Sequence, residues 1–377
     1  MLAATAPNSA FGQEKNEAQS PSGPPRAAQP REDEAVSRLR ALGHLVEVRN
    51  DGFVKVVLRT GIATKEAMHL AASLSNLRFL YISGEFTLDD FMVPLDESPN
   101  LEELVISAKQ ITDQGLEQSR VFRSNIRKLY ILSPEVRGSF LRFFTDKSKL
   151  NHLELSGVEH FDQRSYGYLI LQSNLKSLKV MESPLSDTGM REISRSDSLE
   201  ELTLLNATFT DEGIRAISRM RSLKRFQGTS LQRQGVTDES LRHLAKAPRL
   251  VGIGLDSFEL TNNGMAYLGG SRTLEEVQIR ASEITDKGID NIRGLEKLKR
   301  LSLTATKITD VGVKKIALYF PDLEDLQLQG NPITDKSISH YVSMKKLKRL
   351  GVGIHGLTPD GKKRLAALRP DLWVTEL

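Results

Sequence analysis

The chain has 377 residues, of which 39% are hydrophobic and 27% charged, a balance ordinary for a soluble, folded protein. Its 52 basic and 48 acidic residues interleave and leave a net charge of +4 without a Lys/Arg block, so no phosphate-tracking surface and no nucleic-acid partner are expected. The absence of cysteine excludes disulfides, thiolate nucleophiles and thiolate zinc sites, and no apolar run reaches the roughly 18 residues that would suggest a membrane span.

Residues 1–30 are rich in Ala, Pro, Ser, Gln and Gly, too poor in apolar surface to offset their ordering entropy, and read as disordered. Two readings of the first dozen residues stand side by side. Ala10 and Gly12 before Gln13 resemble the cleavage site of a secretory signal peptide that lacks its basic region and most of its apolar core. The alternative is an Ala-rich tail. The first implies export to the periplasm or cell surface, the second a cytoplasmic protein.

Residues 31–58 read as a cap. An amphipathic helix over 31–42 precedes two strands, 45–49 and 53–58, that flank the hairpin turn Asn50-Asp51-Gly52. Residues 59–377 then repeat. Ile111-Thr112-Asp113, Leu185-Ser186-Asp187, Phe209-Thr210-Asp211 and Val236-Thr237-Asp238 are followed by Leu260-Thr261-Asn262, Ile284-Thr285-Asp286, Ile308-Thr309-Asp310, Ile333-Thr334-Asp335 and Leu357-Thr358-Pro359. Most later steps are 24 or 25 residues, and weaker anchors at Ile62, Phe86, Val136 and Phe161 fill the early gaps. A fixed period of this size is the signature of a solenoid, here of about thirteen strand–turn–helix units.

Each anchor follows an L-x-x-L-x-L segment such as Leu101/Leu104/Ile106 or Leu298/Leu301/Leu303, the alternation of a half-buried strand. The Thr-Asp pair is expected to cap a short amphipathic helix, as in Ile214/Ile217/Met220 and Ile289/Ile292/Leu295. A helix over 359–368 and a short strand over 372–377, bearing Trp373, close the stack.

The unit L-x-x-L-x-L-x-x-T-x-I-T-D-x-G-L resembles the 24-residue leucine-rich repeats of certain bacterial proteins. It is also similar to the cysteine-containing repeats of F-box proteins, with Thr or Ser where those often carry Cys. The resemblance covers roughly residues 53–377. It implies an α/β fold, a right-handed leucine-rich repeat solenoid (horseshoe) with a parallel β-sheet on the concave face and short helices on the convex face. It implies little about function. No F-box-like helical module is read before the repeats, which sets a ubiquitin-ligase-type adaptor behind the other readings.

In a parallel sheet each repeat position becomes a stripe. The two residues after the first Leu read Glu102-Glu103, Arg127-Lys128, Asn151-His152, Lys176-Ser177, Glu200-Glu201, Lys224-Arg225, Val251-Gly252, Glu275-Glu276, Lys299-Arg300, Glu324-Asp325 and Lys348-Arg349. Acidic and basic rungs alternate, and neighbours are expected to neutralise each other rather than form a charged groove. The next stripes carry Tyr81, Val105, Tyr130, Leu132, Met181 and Leu205 in the first half, candidates for a protein-binding patch or for ordinary sheet packing. In the second half they carry Gln278, Arg280, Ser302, Thr304, Gln327 and Gln329, with Gly351 and Gly353.

One repeat departs from the period. Phe209 to Val236 is 27 residues, with the extra residues near 229–234, and Val251-Gly252-Ile253-Gly254 breaks the charge alternation. Lys224 and Arg225 are expected to keep acidic neighbours on one side only. These two, with Gln227, Arg233 and Asp256, are candidate partner-binding residues, a neutral insertion being the alternative.

Catalytic signatures are absent: the seven histidines show no metal-ligand spacing, and no cofactor or metal is expected. Gly351-Val352-Gly353-Ile354-His355-Gly356 satisfies G-x-G-x-x-G but occupies a repeat slot without the second strand and acidic residue of a dinucleotide site. The remaining carboxylates read as caps or charge rungs. The sequence thus points to a monomeric, non-catalytic protein-interaction scaffold, with a glycan- or polymer-binding module of the cell envelope as the alternative.

Overall fold

The computed structural model describes residues 30–59, 63–84, 92–123, 125–144, 148–231, 235–280, 282–353 and 356–375. The signal-peptide reading at Ala10 and Gly12, the anchors Ile62 and Phe86, and Arg233 and His355 lie outside the described residues. Helix α1 (Pro30–Ala41) leads into the antiparallel hairpin of β1 (Leu45–Val48) and β2 (Val54–Leu58), with Val48 opposite Val54. From β2 onward each strand pairs in parallel with the next in chain order.

The strands of the first half are β3 (Leu77–Gly84), β4 (Glu103–Ala108), β5 (Lys128–Leu132), β6 (His152–Ser156) and β7 (Ser177–Met181). Those of the second are β8 (Glu201–Ala207), β9 (Arg225–Ser230), β10 (Gly252–Asp256), β11 (Glu276–Arg280) and β12 (Arg300–Thr304). β13 (Asp325–Gln327), β14 (Arg349–Gly351) and β15 (Trp373–Thr375) complete one open 15-stranded sheet. Every crossover from β2 to β15 passes through helical structure on the other side. Strands sit about 4.8 Å apart whereas packed helices need 8–10 Å, so the layer bends with its sheet face concave.

The alternating strand leucines form the core. Leu104, Leu129, Leu153, Leu178, Leu202, Val277, Leu301 and Leu326 are all buried in a cluster continuous from Ala35 to Leu372. No unit hides its apolar face alone; stacking does it.

The crossovers fall into two kinds. In the first half α2 (Lys65–Ala72) and α3 (Asp113–Gln118) are accompanied by 3-10 turns, Val93–Glu97, Arg120–Arg123, Ser139–Phe143 and Gln163–Leu171, where regular helices were expected. Rings fill the space there: Phe144 meets Phe122 and Phe140 edge-on at 6.0 and 6.1 Å, and Phe161 lies 4.7 Å from Tyr166. The second half uses short α-helices, α4 (Asp187–Ile193), α5 (Asp211–Ile217), α6 (Asp238–Leu244), α7 (Asn262–Leu268), α8 (Asp286–Asn291) and α9 (Asp310–Tyr319). Here the capping expectation needs correction. Thr alone caps its own helix, as when Thr210 Oγ1 accepts from Glu212 N, and the following Asp serves the next repeat.

Asp187 accepts from Thr210 N at 2.8 Å and from its hydroxyl at 2.7 Å. Asp211 does the same for Thr237, Asp238 for Thr261, Asp286 for Thr309, Asp310 for Thr334 and Asp335 for Thr358. Among the described residues two rungs are amides: Asn262 accepts from Thr285 N and donates to its hydroxyl, both at 3.0 Å, and Gln163 Oε1 accepts from Ser186 N at 2.9 Å and from its hydroxyl at 3.2 Å. This ladder explains the glycine two residues after the Asp. A Cβ on Gly213 would come within 2.5 Å of Asp187 Oδ1. Where serine replaces that glycine, at Ser240 and Ser337, its hydroxyl donates to Asp211 and Asp310 instead.

Beyond α10 (Ile338–Ser343) and α11 (Pro359–Leu368) the stack ends on Arg369. Its buried guanidinium donates to the carbonyls of Met344 at 2.9 Å and Leu347 at 2.7 Å and pairs with Asp371. Among the described residues no helix is long and apolar enough to cross a membrane.

Candidate functional site

The outward sheet positions line up in three stripes fixed by strand register. The first reads Glu103, Lys128, His152, Ser177, Glu201, Arg225, Gly252, Glu276, Arg300, Asp325, Arg349 and Trp373. The expected self-neutralisation is visible in distances: Lys128–Glu103 3.6 Å, Arg225–Glu201 3.2 Å, Arg300–Glu276 2.5 Å and Arg349–Asp325 2.7 Å. The residues just before these strands pair likewise, with Glu200 between Lys176 at 3.4 Å and Lys224 at 2.5 Å. Most of this face therefore presents closed pairs, each worth about 0–1 kcal/mol.

The middle stripe runs Val57, Tyr81, Val105, Tyr130, then Glu154 and Lys179, then Thr203, Gln227, Gly254, Gln278, Ser302, Gln327 and Gly351. Tyr81, Val105 and Tyr130 are thus brought together. Val105, however, is only 4% exposed, in register between the two tyrosines on its neighbouring strands. Leu132, Met181 and Leu205 lie half-buried on the third stripe, with Ser156 between the first two.

Glu154 overturns the expectation that the remaining carboxylates serve only as caps and rungs. It is buried on the sheet face, 3.3 Å from Lys179 Nζ and 3.9 Å from His152 Nε2, and the His152 ring stacks at a tilt 5.1 Å from Tyr130. Burial raises its carboxyl, but Lys179 and His152 beside it outweigh that and hold it below the usual range. The early patch therefore ends in a buried ion pair that is satisfied within the chain.

The irregular repeat is where the face opens. Glycine at 252 and 254 removes two consecutive outward side chains of β10, and two adjoining recesses result, of about 100 and about 220 Å³. The first is walled by Arg225, Gln227, Glu276 and Gln278, the second by Gln227, Thr229, Asp256, Gln278, Arg280, Ser302 and Thr304. Arg225 corrects a further expectation: it does not lose its second acidic neighbour, but reaches past Gly252 to within 4.0 Å of Glu276. Among the described residues Lys224 keeps Glu200 alone. Below the recess Gly228 takes a core position, since the rings of Phe209 and Phe226 occupy the space a Cβ would enter.

Of the residues singled out in this repeat, Arg225, Gln227 and Asp256 line the recesses, and Lys224 stands outside them at the strand start. Sequence reasoning missed Glu154 and Lys179, and it did not join Gln278 and Arg280 to Asp256. The broken charge alternation was the available signal. What it did not show is that the missing Cβ atoms open a cavity. The G-x-G-x-x-G segment offers no comparable room, because the Gln327 and Gln329 side chains already fill the space above Gly351.

A family model described as Leucine Rich repeat matches residues 294–317, the repeat that contains β12. No curated protein sequence matches the chain significantly. Among solved structures, an internalin (inlF) from Listeria monocytogenes is similar over 92% of this chain and 94% of its own, at a TM-score of 0.57 and 20% identity. A chain of the yeast Rad7 and Elc1 complex is similar over 68% of this chain and 70% of its own, at 0.50 and 16% identity. At such identities the likeness is one of fold.

Proposed function

We propose that this chain, a leucine-rich repeat protein, is a non-catalytic scaffold that binds a protein partner on its concave sheet face, over β9 to β11. One observation carries the reading. Along a face whose charges are mostly closed into ion pairs, this is where side chains are withdrawn and polar groups line an open recess. Closed charge pairs add little to any interface, whereas a recess with convergent polar groups can seat a partner's side chains. The similarity to a chain solved in the Rad7–Elc1 complex supports the class of function: that protein is known with a partner bound.

The test is affinity capture from the native cell with quantitative mass spectrometry, comparing three forms of the protein. Thr203→Glu with Ser302→Glu places new charge on the middle stripe either side of the recess. Leu318→Glu alters an exposed residue of α9 on the helical side. The expected outcome is a partner lost by the first variant and kept by the second. The reverse pattern would overturn the assignment to the concave face.

A further inference from the structure

Five acid–base couples at directly paired positions of parallel strands close into ion pairs: Glu103–Lys128, Glu154–Lys179, Glu201–Arg225, Glu276–Arg300 and Asp325–Arg349, at 2.5–3.6 Å. Asp256 and Arg280 are paired in the same way across β10 and β11. Yet among the described residues neither side chain has an ion pair or a hydrogen bond, although both line the larger recess. Asp256 is half-buried, and its carboxyl is pushed up by that burial, with Arg280 opposing only in part. Withdrawing a carboxylate from water without a donor to meet it is costly. Arg300 and Asp325 also face each other across two strands, but each is closed by its other neighbour, Glu276 and Arg349, whereas Asp256 and Arg280 stay open.

Resting on the concave-face reading above, we propose that this recess seats an extended peptide segment of the protein partner, with one peptide unit bridging Asp256 and Arg280. Ionised, the carboxylate only accepts and the guanidinium only donates. A peptide unit offers one N–H and one C=O, the complement of that pair. Gln227, exposed and without a hydrogen bond of its own among the described residues, supplies a donor and an acceptor for the next unit along. The depth left by Gly252 and Gly254 takes a side chain that points down at the sheet.

At the strand-exit rim, two residues past the paired Thr229 and Asp256, Leu231 and Phe258 are each 61% exposed. They give the segment an apolar rest where it leaves the recess. The recess itself argues against a sugar chain: among the described residues its only aromatic, Phe226, is buried in the core and offers no face to stack on a pyranose ring.

The test selects binders from a library of random linear peptides on the full-length protein and measures their affinity for three variants. Gly254→Gln restores the side chain that both neighbours carry at this stripe position, so it fills the recess while leaving the fold intact by melting temperature. Asp256→Ala with Arg280→Ala removes the bridging pair, and Phe258→Ser removes the rim. Selected peptides are expected to lose about tenfold or more in affinity for each of the first two, and to change their apolar preference on the third. Peptides that bind Gly254→Gln and the double variant as tightly as the parent would overturn the assignment of the recess and leave the protein-binding reading standing. A library that yields no binder overturns the peptide proposal. If soluble cell-wall polysaccharides bind instead, and Gly254→Gln abolishes that binding, the protein-binding reading falls with it.

Discussion

The two halves of this solenoid solve the same stacking problem with different chemistry. From β7 onward each repeat is fastened to the next by a carboxylate or amide that takes up the Thr of its neighbour, and the helices between are short and regular. Before β7 that fastening is irregular. Asp113 still reaches forward to the backbone N–H groups of Arg137, Gly138 and Phe140, but the layer beneath is filled by Phe122, Phe140, Phe144, Phe161 and Tyr166 around 3-10 turns. A polar ladder fixes spacing because its hydrogen bonds tolerate little displacement. Aromatic filling fixes volume and leaves spacing free. The outward faces differ in parallel: apolar with a buried ion pair early, polar with open recesses late.

The largest effect should come from the aromatic half. Phe144→Ala removes a fully buried ring that meets two others, and large-to-small changes of this kind cost about 3–5 kcal/mol. Leu301→Ala in the ladder half should cost about 2–5 kcal/mol, toward the lower part of that range if the ladder holds its repeat in place. Denaturant melts of both variants decide it. A Phe144→Ala variant less damaged than Leu301→Ala would show that the early half does not depend on its rings.

The same contrast decides what was legible in the sequence. Ile-Thr-Asp stands out because a hydrogen-bonded ladder demands the same residue types at the same spacing, so chemistry and period coincide. Val136 and Phe161 are weak anchors because ring packing can be met by many residues, and nothing local marks a 3-10 turn in advance. In sequence the double use of Thr and Asp reads as capping alone, since the neighbour that Asp serves lies 23 residues on and only the fold brings it near. Glu154 is illegible for a related reason: in Leu153-Glu154-Leu155 it reads as an exposed outward residue, and it is buried between Tyr130 and Lys179 on the adjoining strands, with His152 two residues before it on its own. The irregular repeat was visible as an irregularity. Its unclosed Asp256–Arg280 couple was not, because register says which residues face each other and not whether their side chains meet.

A smaller and sharper effect tests the ladder itself. Asp286→Ala leaves Thr309 N and its hydroxyl without their acceptor, at a cost of about 1–3 kcal/mol. Asp286→Asn should recover most of that, because Asn262 already fills the equivalent rung, accepting from Thr285 N and meeting its hydroxyl with the donor reversed. Equal destabilisation of the two variants would mean that charge, rather than hydrogen-bond geometry, holds the repeats together.

The gentlest probe is acid. Burial raises the Asp310 carboxyl, but hydrogen bonds from Ser337 and Thr334 more than offset this and leave it below the usual range. Asp335 is held low by the side chain and backbone N–H of Thr358. A carboxyl whose folded value is depressed contributes stability that is complete above its unfolded value, about 3.9 for Asp, and is lost as the pH falls through the folded value. Protonation turns one carboxyl oxygen into a donor and removes the charge from the other, weakening both contacts to each Thr, so the last repeats should loosen first as pH drops below about 4. Hydrogen exchange followed by mass spectrometry would show protection falling in α10 and α11 before it falls in the aromatic layer around Phe140 and Phe144, where packing carries no proton dependence. Early loss in that aromatic layer would put its stability on carboxylates as well, on Asp113 or Glu154, and the division between a hydrogen-bonded half and a packed half would then be one of degree.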